Sequence, residues 1–196
     1  LRVLKEKMVD GVIYMSSSLE EETLDIINEL DLKTVLVETK DKEGRLPSVY
    51  IDNIEATYEA TKHLLDKGIK NIAFIGVDKS SANAWGDRYI GYEKALNEAG
   101  INIDEDLVYF EGLKVKSGYR ASEKFLASGK NFDGIICASD EIAMGAINGL
   151  REKGVNTPEN VSVIGFNDNA VASCFYPKLT TVKQPSYDMG SVAMRI

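Results

Sequence analysis

The chain has 196 residues, 44% of them hydrophobic and 28% charged, with 31 acidic against 23 basic side chains and a net charge of −8. This is the composition of a globular protein of one large or two small domains. An acidic surface repels phosphate backbones, so these residues are not expected to grip nucleic acid themselves. No apolar run reaches membrane-spanning length, and two cysteines, Cys137 and Cys174, are too few for a disulfide framework. A reducing compartment is expected.

Leu1, Leu4 and Met8 read as the end of a helix whose start is missing, and the chain stops within a helix at Met194-Arg195-Ile196. Truncation at both ends is expected. Between them strands alternate with helices. Strands are predicted over 9–15, 34–37, 49–51, 71–76, 107–110, 132–138, 161–166 and 179–182, from short apolar runs bounded by turn residues. Helices are predicted over 20–30, from Asp52 or Asn53 to Gly68, from Asp87 or the residue before it to Gly100, over 117–127, and from Ser139 or Asp140 to Gly154. Small polar residues cap their starts, and glycine suits the left-handed position after their ends. A polar segment, 77–85, and a charged loop, 38–47, interrupt the pattern. Alternation of this kind is that of doubly wound parallel sheets with right-handed crossovers.

The stretch from Val161 to Met189 ends its strand in Gly165-Phe166 and follows it with Asn167, Asp168 and Asn169. Ligands of open α/β sheets sit at the carboxyl ends of strands. About ten residues without a clear period then precede the run at Leu179. Two readings stand: an ordinary surface loop, or a backbone crossing from one domain to another. The second gives two smaller sheets.

Motifs for chemistry are absent. There is no phosphate loop, no GxGxxG after a strand, no HExxH and no CxxC. The single histidine, His63, lies on a helix, so no Ser-His-Asp system is available, and no metal cluster or cofactor is expected. What remains is a set of polar residues at strand ends: Ser16, Glu38, Ser139, Asp140, Asn167 and Asp168, joined by Arg88 and Trp85. Paired amides and carboxylates, an arginine fork and an aromatic face suit a polyhydroxylated ligand. Each has a plainer alternative. Asp140 can be a helix cap, Arg88 a surface ion pair with Asp87 or Glu93, Trp85 a core or loop anchor, and Met144 ordinary core.

Several phrases together resemble the effector-binding core of the lactose and galactose repressor family of bacterial transcription regulators. They are Ile51-Asp52-Asn53, His63-Leu64 before Gly68, Ile72 to Gly76, Arg88 with Gly91-Tyr92, Ser139 to Ala146, and the Val161 stretch. The resemblance covers the whole chain. It implies an α/β fold of the type I periplasmic-binding-protein kind: two doubly wound parallel-sheet sub-domains with a ligand cleft between them. We place the sub-domains at 1–51 plus 180–196 and at 52–179. The resemblance further implies a helix-turn-helix DNA-binding head before Leu1, a homodimer, and operator DNA as the head's partner. Arg88 is similar to the family's effector-anchoring arginine, and Ser139-Asp140 to its cleft-edge pair. Asn167 stands where an acid usually accepts ligand hydroxyls. Met144, Ala170 and Phe175 fall where family members pair. Gln184-Pro185 and Tyr187-Asp188 resemble the catabolite control branch, whose co-repressor is a phosphorylated carrier protein. Tyr176 replaces the basic residue expected before Pro177, which with Trp85 and Arg88 favours a small-molecule effector. The expected function is a sugar-sensing, dimerising core without catalysis. A transport sugar-binding protein of the same fold is the alternative.

Overall fold

Eight parallel strands in two sheets, with helices between them, form among residues 1–79 and 83–196, which the computed structural model describes. Ser80, Ser81 and Ala82, inside the expected polar segment 77–85, lie outside the described residues. The described residues divide into a smaller unit, 1–51 with 83–84 and 185–196, and a larger one, 52–79 with 85–184.

The smaller unit holds a short helix α1 (Arg2–Glu6), strand β1 (Val12–Met15), helix α2 (Glu21–Glu29) and strands β2 (Thr34–Val37) and β3 (Ser48–Val49). The sheet order is β1-β2-β3, with Val12 opposite Thr34 and Leu36 opposite Ser48. Leu36 and Val37 are buried, as are Leu24 and Ile27 on one face of α2. The last helix, Ser186–Ala193, packs on β2 and β3 and buries Met189 and Ala193 against Val37. Each such burial of a large aliphatic side chain stabilises by about 1.5–3 kcal/mol.

The larger unit follows in order: α3 (Asn53–Asp66), β4 (Ile72–Gly76), α4 (Ala84–Glu98), a 3₁₀ turn (Glu105–Leu107), β5 (Val108–Phe110), α5 (Val115–Ala127), β6 (Gly134–Cys137), α6 (Asp140–Glu152), β7 (Ser162–Asn167), α7 (Ala170–Cys174) and β8 (Thr180–Lys183). Its sheet runs β5-β4-β6-β7-β8, all parallel. Every residue of β4 and β6 is buried, as central strands covered on both faces must be. Phe74 of β4 meets Tyr89 and Tyr92 of α4 with ring centroids 5.2 and 5.1 Å apart. The Tyr92 hydroxyl, fully buried, donates to the Ile72 carbonyl at 2.7 Å. Cys137 is buried inside β6, and burial pushes its thiol up, so it behaves as a small hydrophobe. His63 is exposed on α3. No helix of the described residues is long and apolar enough to cross a membrane.

Three expectations need correction. The run at 179–182 does not cross into the smaller unit. It is β8, hydrogen-bonded beside β7, with Ile164 opposite Thr180 and Phe166 opposite Val182. Residues 180–184 therefore belong to the larger unit, and the chain leaves it between Gln184 and Pro185. The stretch before it is no plain loop either, because 170–174 form a helix whose Asn169 cap accepts from Ala172 N at 3.2 Å. Helix α4 begins at Ala84 rather than at Asp87, which puts Trp85, Asp87 and Arg88 together in its first turns.

Candidate functional site

The loops after β7 and β2 carry backbone that side chains rarely adopt. Asn167 and Asp168 have φ of 112° and 55°, and Glu38 has φ of 66°. Non-glycine residues in the left-handed region each cost about 1–3 kcal/mol, and such strain concentrates at functional sites. All three stand at the carboxyl end of a strand, where the sequence placed them. Asn167 is half-buried and Asp168 exposed. Among the described residues neither the Asn167 amide group nor the Asp168 carboxylate makes a hydrogen bond through its side chain. Both are thus open to a ligand from solvent.

Arg88 is buried, so the surface alternative does not describe it. Its side chain is 4% exposed. Its Nε donates to Asn53 Oδ1 at 2.9 Å, and its Nη1 donates to the Ala138 carbonyl. The guanidinium plane lies 3.6 Å from the Phe166 ring centroid and 4.7 Å from that of Trp85. One cation thereby joins the first residue of α3, the carboxyl end of β6, the carboxyl end of β7 and the first turn of α4. Stacking on two rings offsets part of the cost of burying the charge. Trp85, half-buried, also packs on the hydrophobic core, so the anchor alternative holds for part of its surface.

Ser139 is buried and caps α6, its Oγ accepting from Ile142 N at 3.3 Å. Asp140 is therefore not the cap. It is fully buried, and both of its oxygens are engaged inside the unit. Oδ1 accepts from the Thr181 hydroxyl at 2.5 Å and Oδ2 from Asn169 N at 2.8 Å. Burial pushes its carboxyl up from the ordinary aspartate value, and the Thr181 and Asn169 bonds oppose that shift. These two side chains build the edge of the sheet from behind.

In the smaller unit, Ser16 follows β1 and its Oγ accepts from Ser18 N at 3.4 Å, while Glu38 N donates to the Val49 carbonyl at 3.0 Å. The loop after Glu38 is closed by Asp41, which accepts from Glu43 N, Arg45 N and the Arg45 guanidinium. The Arg45 guanidinium holds the Asp41 carboxyl well below the usual carboxylate range. Of the residues expected at a pairing surface, Met144 is buried, 6% exposed. Ala170 is exposed, and Phe175 is half-buried with the Arg151 guanidinium 6.0 Å from its ring. Sequence reasoning missed Asn53, Phe166, Asn169 and Thr181 as partners in this edge. Only Asn169 carried a signal, as the third of three polar residues after Phe166.

Residues 1–192 match the family described as periplasmic binding proteins and sugar binding domain of the LacI family. The chain is 67% identical over 196 residues to the HTH-type transcriptional regulator RegA of Clostridium saccharobutylicum, covering all of this chain and 59% of that protein. Among solved structures it is similar to the transcription regulator CcpA of Lactococcus lactis, with a TM-score of 0.87, 37% identity, and 99% of this chain and 70% of that one covered. A transcriptional regulator CelR–cellobiose complex gives a TM-score of 0.88 and 31% identity, over 99% of this chain and 60% of that one. These relatives are transcriptional regulators, not enzymes. The chain spans about three-fifths of the length of its RegA relative. The chain belongs to the family of periplasmic binding proteins and LacI-type sugar-binding domains.

Proposed function

We propose that this chain is the effector-sensing core of a cytoplasmic LacI-family transcriptional regulator. It binds a sugar or related polyhydroxylated molecule and does no chemistry. The ligand meets Asn167, Asp168 and Trp85 at the carboxyl edge of the five-stranded sheet. Arg88, Ser139 and Asp140 hold that edge in shape. Ser16 and Glu38 stand at the carboxyl ends of strands in the smaller unit's own sheet. The intact protein pairs as a homodimer, with Ala170 and Phe175 near the axis, and reads operator DNA through a head outside these residues. Two-fold operators call for two-fold proteins.

The observation that carries this reading is the open, left-handed Asn167-Asp168 pair, at the end of the strand whose Phe166 ring shares the Arg88 guanidinium with Trp85. An amide and a carboxylate accept and donate to neighbouring hydroxyls while a ring covers a sugar's apolar face. The family description also covers periplasmic binding proteins, but RegA and CcpA, both regulators, favour the sensing role.

A thermal-shift screen of this chain against mono- and disaccharides and sugar phosphates, cellobiose included, tests the reading. A true effector at about a hundred times its dissociation constant should stabilise the native state by about 2.7 kcal/mol. Such a shift from one chemical class is the expected result. No shift from any sugar or sugar phosphate would overturn the proposal.

A further inference from the structure

Asp140 was expected to touch the ligand, yet every geometric fact about it points inward. An ionised carboxylate only accepts hydrogen bonds, and this one is fully buried with a donor on each oxygen, Thr181 Oγ1 and Asn169 N. Room for it exists because residue 165 is glycine. A Cβ there would stand 2.5 Å from Asp140 Oδ1 and 2.8 Å from Leu179 Cδ2.

The two donors bracket the strained loop. Thr181, on β8, also accepts from Asp168 N at 3.3 Å through the same hydroxyl. Gln184 N donates to the Asn167 carbonyl at 3.2 Å. Asn169 in turn donates through Nδ2 to Glu141 Oε1 at 2.9 Å and caps α7 through Oδ1. The backbone of three successive residues, 167 to 169, is thus tied to β8, to Gln184 just after it, and to the first turn of α6. Asn167 and Asp168 cannot relax from the left-handed region while these ties hold.

We propose that Asp140 is a positioning residue that holds Asn167 and Asp168 in their ligand-facing conformation through Asn169 and Thr181, without itself touching the ligand. The ligand-facing role of that pair rests on the function proposed above; the latch itself does not.

The test uses the 196-residue chain and three variants. Asp140→Ala removes both acceptors. Asp140→Asn keeps both ties, because its amide oxygen accepts from Asn169 N and its amide nitrogen donates to Thr181 Oγ1. Thr181→Val removes the hydroxyl alone and serves if Asp140→Ala does not fold. Without ligand, amide hydrogen exchange at Asp168 and Asn169 should quicken by roughly ten-fold or more in Asp140→Ala, and at Asp168 in Thr181→Val, relative to amides of β4 and β6. Asp140→Asn should exchange as wild type does. Unchanged exchange in both disrupting variants would overturn the latch.

Calorimetric titration with cellobiose as the probe adds the functional arm. Affinity should fall in Asp140→Ala and return in Asp140→Asn. A loss as large in Asp140→Asn as in Asp140→Ala would mean a direct contact of the carboxylate charge with the sugar, and would overturn the positioning role. If wild type takes up neither cellobiose nor any sugar or sugar phosphate of the screen, the proposed function fails while the exchange data still decide the latch.

Discussion

Gly145→Ala should destabilise the larger unit by about 3 kcal/mol or more, although alanine is the better helix former by about 1 kcal/mol. Packing decides the sign. Where α5 crosses α6, a Cβ on Gly145 would fall onto the Val115 carbonyl oxygen, 2.8 Å from its carbon and 2.9 Å from Tyr119 N. On the opposite helix, a Cβ on Gly118 would meet the Ile142 carbonyl and Ala146 N. These are backbone atoms and cannot rotate aside. The helices would have to separate, loosening Ala121 and Phe125 of α5 and Ile142 and Ala146 of α6, all fully buried. Gly190 of the last helix, Ser186–Ala193, is the control, because nothing lies within 4 Å of a Cβ there. Gly190→Ala should leave stability unchanged or raise it by about 0.5–1 kcal/mol. Urea unfolding of both variants checks the pair. Wild-type stability in Gly145→Ala would mean that the two helices are not in this close register.

Arg88→Ala should cost about 2–4 kcal/mol, far more than an exposed arginine would. It leaves Asn53 Oδ1 and the Ala138 carbonyl without their buried donor, and it opens space between Trp85 and Phe166. A buried acceptor left without its donor costs about 1–3 kcal/mol. Arg88→Lys should recover only part of this, since an ammonium lacks the planar fork that spans both acceptors and stacks on the rings. Denaturant midpoints with unchanged slopes would show the loss as one of stability. A change below about 0.5 kcal/mol would return Arg88 to the surface role that an ion pair with Asp87 or Glu93 describes.

Much of the fold was legible because its signals are local. The run Thr34 to Val37 is β2 to the residue, and the Asp52 and Ser139 caps and the glycines 68, 100 and 154 mark helix ends where the structure has them. Helix α7 was missed because five residues are too few to show a period. That miss also sent β8 to the wrong unit, since a loop without elements seemed long enough to cross between domains. Only pairing with β7 shows otherwise.

The candidate site was legible in residue type and place along each strand, but not in burial. Arg88 and Asn53 are 35 residues apart, and Asp140 and Thr181 are 41. Nothing in either neighbourhood announces the partner. An arginine or aspartate at a strand end reads the same whether its polar atoms face solvent or the protein. The structure therefore divides one set of candidates into two. Asn167 and Asp168 present open groups. Arg88, Ser139 and Asp140 hold the edge on which those groups stand.

The central claim is that ligand meets the Asn167–Asp168 edge of the larger unit. The most direct measurement is amide chemical-shift mapping of this chain with the tightest-binding sugar from the screen. The expected result is that perturbations in the larger unit centre on Trp85 and on 167–169, and weaken toward the opposite ends of the strands. Shifts centred instead at those opposite ends, around Asn71, Asn102 and Asn131 beside Lys130, would contradict the account and put the ligand in the pocket those residues line.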